Sequence, residues 1–384
     1  MIPLSAPSLK GNEWKYVKEC IDTEWVSSAG KYVELFEKNI AEYTGSKYAI
    51  ACVNGTAAIQ VSLRLADVKP GDEVIVPTLT FIAPINAIAY NNATPVFMDA
   101  DNYYNFDIEK TIEFIKNETI FKNGFTYNKA TNKKISAILP VHMWGNACEL
   151  DAIIGLCENR NIVVVEDASE SLGTFYNEGK YKGKHTGAIG KLGCISFNGN
   201  KIITTGGGGM ILTDDIALAE KAKYLTTQAK DDPIRYVHDE VGYNFRLTNI
   251  QAALGVAQLE QLLDILKRKK EIHHCYQKEL EGIDGLSISK APDYADNNHW
   301  MNLLQIDNNV YGEGREMLMK RLGENSIQSR PVWKLNHAQK PYQDCQYYKI
   351  EKAKELVENS LCLPSSSNLT NKNFNKVIYC LGNK

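Results

Sequence analysis

Ser196-Phe-Asn-Gly-Asn-Lys201-Ile-Ile-Thr-Thr-Gly-Gly-Gly-Gly-Met210 decides how this chain is read. An apolar run precedes it, Gly193-Cys-Ile-Ser-Phe197, and another follows, Met210-Ile-Leu-Thr213. Both have the length and composition of short buried strands. A single lysine stands between them, followed by four consecutive glycines, Gly206 to Gly209. A glycine run has no Cβ atoms and lets the backbone come close to a ligand or another chain. A lysine anchored between two buried strands is not on an ordinary solvated face. Removed from water, its amine becomes a nucleophile able to form a Schiff base. A glycine-rich hairpin carrying an exposed lysine is the competing reading of this stretch, and the rest of the chain separates the two.

Working outward, apolar runs at residues 48–53, 73–77, 94–100, 135–141, 162–167, 193–197 and 209–213 read as strands, with helical patterns at 56–66, 82–90, 150–160 and 216–228. This alternation predicts an α/β fold with a seven-stranded, mostly parallel sheet covered on both faces. The gap around Lys201 is too short for a helical crossover and predicts one antiparallel member there. Residues 12–23 and 31–43 read as helices joined by the loop Trp25-Val26-Ser27-Ser28-Ala-Gly30. Residues 102–134 are dense in Asn, Lys, Tyr and Thr, and part of them reads as a surface excursion before the fourth strand, with a small hairpin. Residues 249–281 read as one long linking helix, and the alternating segments after it as a smaller α+β domain. The expected division is a large α/β domain over 1–250, then the linking helix and small domain over 251–384.

The 384 residues are 44% hydrophobic and 23% charged, as in an ordinary globular protein with a sizeable core. A net charge of −3 gives no strong basic field for nucleic acid or anionic lipid. The nine cysteines are scattered and include no C-x-x-C pair, which fits free thiols in a reducing compartment better than a disulfide framework or a zinc site. No metal is expected. The N-terminus lacks the pattern of a secretion signal and no run reaches transmembrane length, so a cytoplasmic protein is expected.

The residues able to carry chemistry fall at strand ends. Asn54-Gly55-Thr56-Ala57-Ala58 follows the first strand and opens a helix, whose unpaired N–H groups and positive dipole end suit a phosphate. Thr56 is a candidate to cap that helix or to bind the anion through its hydroxyl. The segment is neither a G-x-G-x-x-G fingerprint nor a Walker A loop, which weakens a dinucleotide or ATP reading. Ile162-Val-Val-Val-Glu166-Asp167-Ala-Ser-Glu170 is a buried strand ending in acids, and ligands of open α/β sheets bind at the carboxyl ends of strands. Asp167 therefore belongs to the same rim as Gly55 and Lys201. It can serve as a base or pair with a protonated ring nitrogen; a metal role lacks the surrounding ligands. Glu170 lies one helical turn on. Phe81, after Pro77-Thr-Leu-Thr, and His142, in Pro140-Val-His-Met-Trp-Gly145, end two further strands. Each alone is more often structural. Together a phosphate cradle, an aromatic ring, a carboxylate and a lysine are the parts that pyridoxal 5′-phosphate needs.

The order Gly-Thr-Ala, Thr-Phe-x-Ala, Pro-Val-His, Glu-Asp-Ala-x-Glu, Ser-Phe-x-x-x-Lys and Gly-Tyr-Asn-x-Arg resembles the DegT/DnrJ/EryC1/StrS family of fold-type-I, pyridoxal-phosphate-dependent sugar aminotransferases. The resemblance runs from Trp25 to about Pro364. It implies that Lys201 carries the covalent link to the cofactor aldehyde and then moves the proton. It implies that Asp167 pairs with the pyridine nitrogen, Glu170 lies near the ring oxygen, Phe81 stacks on the ring, and Gly55, Thr56, Ala57 and Ser196 hold the phosphate. By the same resemblance Gly242-Tyr-Asn244-Phe-Arg246 reaches into a neighbouring subunit's site, with Asn244 on the partner's phosphate, so a homodimer with shared active sites is expected. Substrate contacts implied by analogy are Trp25, Val26, Ser27, Ser28, His142, Asn198, Arg246, Arg330 and Trp333.

Many relatives carry Gly-Glu-Gly-Gly after the lysine, where this chain has Gly206 to Gly209. With Asn198-Gly-Asn-Lys201, Glu170 and Arg330-Pro-Val-Trp333-Lys, that departure is similar to the branch acting on UDP-linked 4-keto-6-deoxy N-acetylhexosamines in bacillosamine and legionaminic acid pathways. The implied reaction moves an amino group from L-glutamate, leaving 2-oxoglutarate, to C4 of the sugar. A GDP- or dTDP-linked ketosugar is the alternative in chemistry. A catalytically silent cofactor-binding protein is the alternative in class. Deoxygenating relatives replace the lysine by histidine, so Lys201 argues against that chemistry.

Overall fold

The computed structural model describes residues 1–383. A central sheet is built from β1 (Tyr48–Cys52), β2 (Glu73–Pro77), β3 (Thr94–Met98), β4 (Lys134–Ile138), β5 (Val163–Asp167), β6 (Leu192–Ser196) and β7 (Gly209–Thr213). They lie in the order β1-β7-β6-β5-β4-β2-β3. The run from β6 through β3 is parallel, whereas β7 is antiparallel to both β1 and β6. The antiparallel member therefore falls where the short Lys201 connection demands it. Three peripheral strands extend this sheet to ten: Tyr347–Tyr348 beside β3, and the hairpin Thr119–Lys122/Phe125–Asn128 beside β4.

Strand alternation distributes the side chains to two faces. On one face Ala49, Ala51, Ile195, Met210 and Leu212 pack with Phe36 and Ile40 of α2 (Lys31–Thr44). On the other, Ile50, Cys52, Val74, Val165 and Ile211 meet Ile59, Val61 and Leu63 of α3 (Gly55–Leu65). Helix Ile108–Asn117 lies within residues 102–134, part of which reads as a surface excursion. Its buried Ile108, Thr111, Phe114 and Ile115 carry the helical spacing, and Asp107 Oδ1 accepts from Lys110 N at 2.8 Å to cap it.

The expected long helix over 249–281 is two helices, Asn249–Leu259 and Leu262–Leu280. The break at Glu260–Gln261 involves neither proline nor glycine. Gln258 and Gln261 each donate to Glu13 Oε1 at 2.6 Å, so the buried acid of the first helix, Glu13–Asp22, ties down the joint. Ala252, Ala253 and Val256 pack in the core beneath the large sheet, whereas Ile272, Tyr276 and Leu280 pack with the smaller one. That smaller sheet consists of Leu286–Ile288, Asn302–Ile306, Ser360–Leu363 and Arg330–Pro331, in that order and antiparallel throughout. Among the described residues no helix is long and apolar enough to cross a membrane.

Candidate active site

The carboxyl ends of β1, β5 and β6 converge on one cavity of about 330 Å³. Helix α3 starts directly after β1. Its N-cap is Asn54, whose Oδ1 accepts from Ala57 N at 2.8 Å. The cap expected of Thr56 is thus made by Asn54, and Thr56 lines the cavity instead. A β-carbon at Gly55 would lie 2.8 Å from Ser196 Cβ and 3.2 Å from its Oγ, so the helix start sits against the last residue of β6. The glycine run is packed against the same point: a β-carbon at Gly209 would lie 2.5 Å from the Asn54 carbonyl oxygen. The backbone that Gly209 approaches is the chain's own Asn54–Gly55 turn.

Of the residues singled out from sequence, Gly55, Thr56, Phe81, Asp167, Glu170, Ser196, Asn198, Lys201 and Trp333 line this cavity. Lys201 Nζ donates to Glu170 Oε1 at 3.3 Å. Glu170 Oε2 accepts from Trp144 N at 2.8 Å, and Trp144 stands in the left-handed region at φ 51°. A tryptophan there is held by its surroundings against its local preference. Burial pushes the Glu170 carboxyl up, opposed by the Lys201 charge and the Trp144 amide. Burial likewise raises Asp167, opposed by hydrogen bonds from Ser169 and by the charge of Lys201. Asp167 Oδ1 accepts from Ser169 N at 3.0 Å, which leaves acceptor capacity on a carboxylate at the cavity wall. Phe81 is half-exposed at the rim and its ring lies 5.6 Å from that of Trp333.

The remaining candidates lie elsewhere. His142 is fully buried: Nδ1 accepts from Cys148 N at 3.0 Å, so Nε2 carries the proton and donates to Glu166 Oε2 at 2.8 Å. With both ring nitrogens occupied, the substrate contact expected of His142 is not available in this cavity. Its partner Glu166 also accepts from the amides of Gly187, Ile189 and Gly190. Burial pushes Glu166 up, but the hydrogen bonds from His142 and from these amides outweigh it and hold the carboxyl below its usual range. Arg246 is corrected similarly: its guanidinium is paired with Glu37, Nη2 to Oε2 at 3.1 Å, and both side chains are largely buried. Ala57 has its amide committed to Asn54 and does not line the cavity. Asn244 is exposed, and Trp25, Val26, Ser27 and Ser28 form an exposed loop beside a different depression. Arg330 lines an adjoining cavity that shares Asn200, Trp300 and Trp333 with the first.

Trp300, Ser169 and Asn200 line the cavity with the lysine, and Trp144 holds Glu170, without having been singled out. The Trp300 ring centroid is 4.1 Å from Lys201 Nζ, and its indole N–H donates to Asn200 O at 2.6 Å. Trp144 stacks on Trp333 with centroids 4.8 Å apart and planes 13° apart. Trp300 and Trp144 reach the site through contacts between segments distant in sequence, whereas Asn200 and Ser169 are chain neighbours of residues already singled out.

The donor set fits pyridoxal 5′-phosphate. The close approach of Gly55 to Ser196 makes a cradle that a β-carbon would fill, and amine, buried carboxylate and half-exposed ring surround one space. Among the described residues no group of His, Cys, Asp and Glu is arranged to hold a metal.

Comparison with known proteins agrees. The model of the DegT/DnrJ/EryC1/StrS aminotransferase family matches residues 7–382. GDP-perosamine synthase of Escherichia coli O157:H7 is 38% identical, covering 98% of this chain and 96% of that protein. GDP-perosamine synthase of Caulobacter vibrioides is also 38% identical, covering 99% and 97%. The crystal structure of the aminotransferase TlmJ from Streptoalloteichus hindustanus superposes with a TM-score of 0.87 at 26% identity, covering 100% of this chain and 98% of that one. Carrying the family's match along nearly its whole length, on a fold whose lysine, carboxylate and helix start meet in one cavity, the chain belongs to the DegT/DnrJ/EryC1/StrS aminotransferases, pyridoxal-phosphate-dependent enzymes that act on nucleotide-linked sugars.

Proposed function

We propose that this aminotransferase moves the amino group of L-glutamate to C4 of a nucleotide-linked 4-keto-6-deoxy sugar, and that the sugar is carried on GDP. The meeting of Lys201, Glu170 and Asp167 at one cavity carries the mechanistic part of this reading. The 38% identity to two proteins named GDP-perosamine synthase supports the GDP carrier. A UDP-linked N-acetylhexosamine is the second reading, favoured by the four-glycine run and by Glu170.

In this reading the start of α3 and the Ser196 hydroxyl hold the phosphate, where N–H groups and the helix dipole favour negative charge. Phe81 covers the ring, and Asp167 pairs with its nitrogen, so that a carboxylate otherwise raised by burial gains a cationic partner. Pyridoxal phosphate, when bound, supplies the electron sink that spreads the negative charge developing at the amino-bearing carbon. Lys201 Nζ is the base that takes the proton from that carbon and the acid that returns one to the sugar carbon. Glu170, held by Trp144 N, keeps the amine at the cavity wall. Arg330, in the adjoining cavity, and Trp333, shared by the two cavities, receive the nucleotide-linked end of the sugar; guanidinium pairs well with phosphate. Glutamate leaves as 2-oxoglutarate, its amino group now on the sugar.

Asn244 and the Trp25–Ser28 loop, exposed and outside this chain's own cavity, are assigned to the site of a second copy in a homodimer. The division into a cofactor-holding unit and a smaller one belongs to the same proposal. The packing of Ile272 and Tyr276 favours a join inside Leu262–Leu280 rather than at residue 250.

The test is the visible spectrum of the full chain on adding L-glutamate, beside Lys201→Ala. The cofactor's visible band is expected to bleach in the wild type and to be absent or unresponsive in the variant. GDP- and UDP-linked ketosugars then compete as acceptors. A colourless protein that takes up no pyridoxal phosphate overturns the reading, and restoration of the band by the UDP substrate alone overturns the GDP assignment.

A further inference from the structure

Trp300 belongs to the smaller unit, yet its ring lies over the amine of a lysine carried by the large one. Lys201 Nζ stands 4.1 Å from the Trp300 ring centroid, well inside the range of a cation–π contact, and tryptophan is the strongest aromatic partner for an ammonium. Three contacts fix the ring. Its indole N–H donates to Asn200 O at 2.6 Å, immediately before the lysine. Its backbone N–H donates to Asn298 Oδ1 at 2.9 Å, and Asn298 Nδ2 in turn donates to Glu170 O at 2.8 Å. Its carbonyl accepts from Lys269 Nζ at 2.9 Å. Lys269 is itself buried; its other hydrogen bond goes to Ser365 O at 2.6 Å, and among the described residues it has no acid partner, so two backbone carbonyls are what compensate its burial.

We propose that Trp300 is a positioning residue for Lys201: its indole face holds the free ammonium beside Glu170 whenever the amine is not bonded to cofactor. The inference rests on Lys201 being the reactive lysine. In a transamination that amine must be released, stay close and return. A π face above it and one carboxylate oxygen beside it define a resting place without locking the amine into a short bidentate ion pair. The charged residues facing the amine are Glu170 and Asp167, both from the segment after β5 and its end; Trp300 is the neutral partner supplied by the smaller unit. Because Asn298 also holds the Glu170 backbone, the two groups around the amine are set by one short segment, 298–300.

The test reads the amine directly. Full-length chain stripped of cofactor is pulse-labelled with an acylating reagent across a pH series, and modification of Lys201 is followed by peptide mass for wild type, Trp300→Phe and Trp300→Leu. A cation–π contact of this kind is expected to raise the free-amine fraction about threefold to thirtyfold when lost, moving the midpoint of labelling down by roughly 0.5–1.5 pH units in Trp300→Leu. Trp300→Phe, which keeps a π face and better preserves the fold, should shift less. A change in access alone alters the labelling plateau and leaves the midpoint in place. A midpoint unmoved in both variants, or moved upward, overturns the proposal. Cofactor uptake, followed separately by the visible band, reports on the reading of Lys201 itself. Wild type that binds cofactor while the midpoints coincide refutes the role of Trp300 and leaves that reading standing.

Discussion

Gly55→Ala is the substitution on which the geometry speaks most directly. The new methyl would stand 2.8 Å from Ser196 Cβ, 3.2 Å from Ser196 Oγ and 3.3 Å from Ser169 Oγ. The nearest of these is a β-carbon fixed on the last residue of β6, whose strand pairs with β7 and β5, so it cannot swing aside as the end of a long side chain would. Overpacking of this kind costs about 1–3 kcal/mol. The better helix propensity of alanine returns at most about 1 kcal/mol, less at the first helical position, so a net loss of roughly 1–2 kcal/mol is expected. The same methyl enters the cradle and pushes a phosphate off the amides of α3. Losing one hydrogen bond to a charged group, worth about 1.5–3 kcal/mol, weakens cofactor binding roughly 10- to 100-fold. Stability is read from unfolding of the cofactor-free chain, and affinity from titration of the visible band. Gly55→Ala/Ser196→Gly removes the clashing carbon, so the double variant should lose about 1 kcal/mol less than the two single losses added together, while cofactor affinity stays low for want of the Ser196 hydroxyl. Wild-type stability and affinity in Gly55→Ala, or strict additivity in the cycle, would refute the reasoning.

Two further outcomes follow from buried charge. Asp167 has its pKa raised in the folded, cofactor-free chain, so the folded state binds protons more tightly than the unfolded one above the ordinary aspartate range. Its contribution to stability therefore falls as pH rises from that range through the raised value. Asp167→Asn removes this term: the cofactor-free variant should be more stable than wild type at neutral pH, with the difference closing in acid, as read from unfolding midpoints against pH. A constant difference across the series would show that the carboxyl is not the titrating group. Arg246→Leu leaves Glu37 buried without its cation, although Glu37 Oε1 still accepts from Ala51 N at 2.7 Å. A destabilisation of about 3–5 kcal/mol in denaturant, with KM for the sugar unchanged in the protein that remains folded, is expected. A raised KM at undiminished stability would return Arg246 to the substrate.

Much of the site was legible because its parts stand at strand ends that alternation alone reveals. The runs ending at Val53, Asp167 and Phe197 placed Gly55, Asp167 and Ser196 on one rim, and the short link to Met210 placed Lys201 there with an antiparallel strand behind it. The helix Ile108–Asn117 was hidden by the Asn- and Lys-rich composition around it, although its own apolar spacing is regular. Residue type misled at His142 and Arg246. A histidine and an arginine at strand-end and loop positions have the chemistry of substrate contacts, but Glu166 and Glu37 claim them in the interior.

The sequence by itself determined the seven central strands, the antiparallel one that follows Lys201, the lysine and the carboxylate, because period-two apolar runs and glycine placement are local properties of the chain. Only the tertiary structure decided what stands around the amine. Trp300 lies 99 positions from Lys201 and Glu170 lies 31, and neither spacing carries a periodic signal. Their meeting is set by the segment 298–300, which contacts Glu170 through Asn298, and both Asn200 and Lys201 through Trp300. Long-range packing of this kind leaves no mark on any window of neighbouring residues, since the contact energy is shared by segments whose sequences are constrained only jointly.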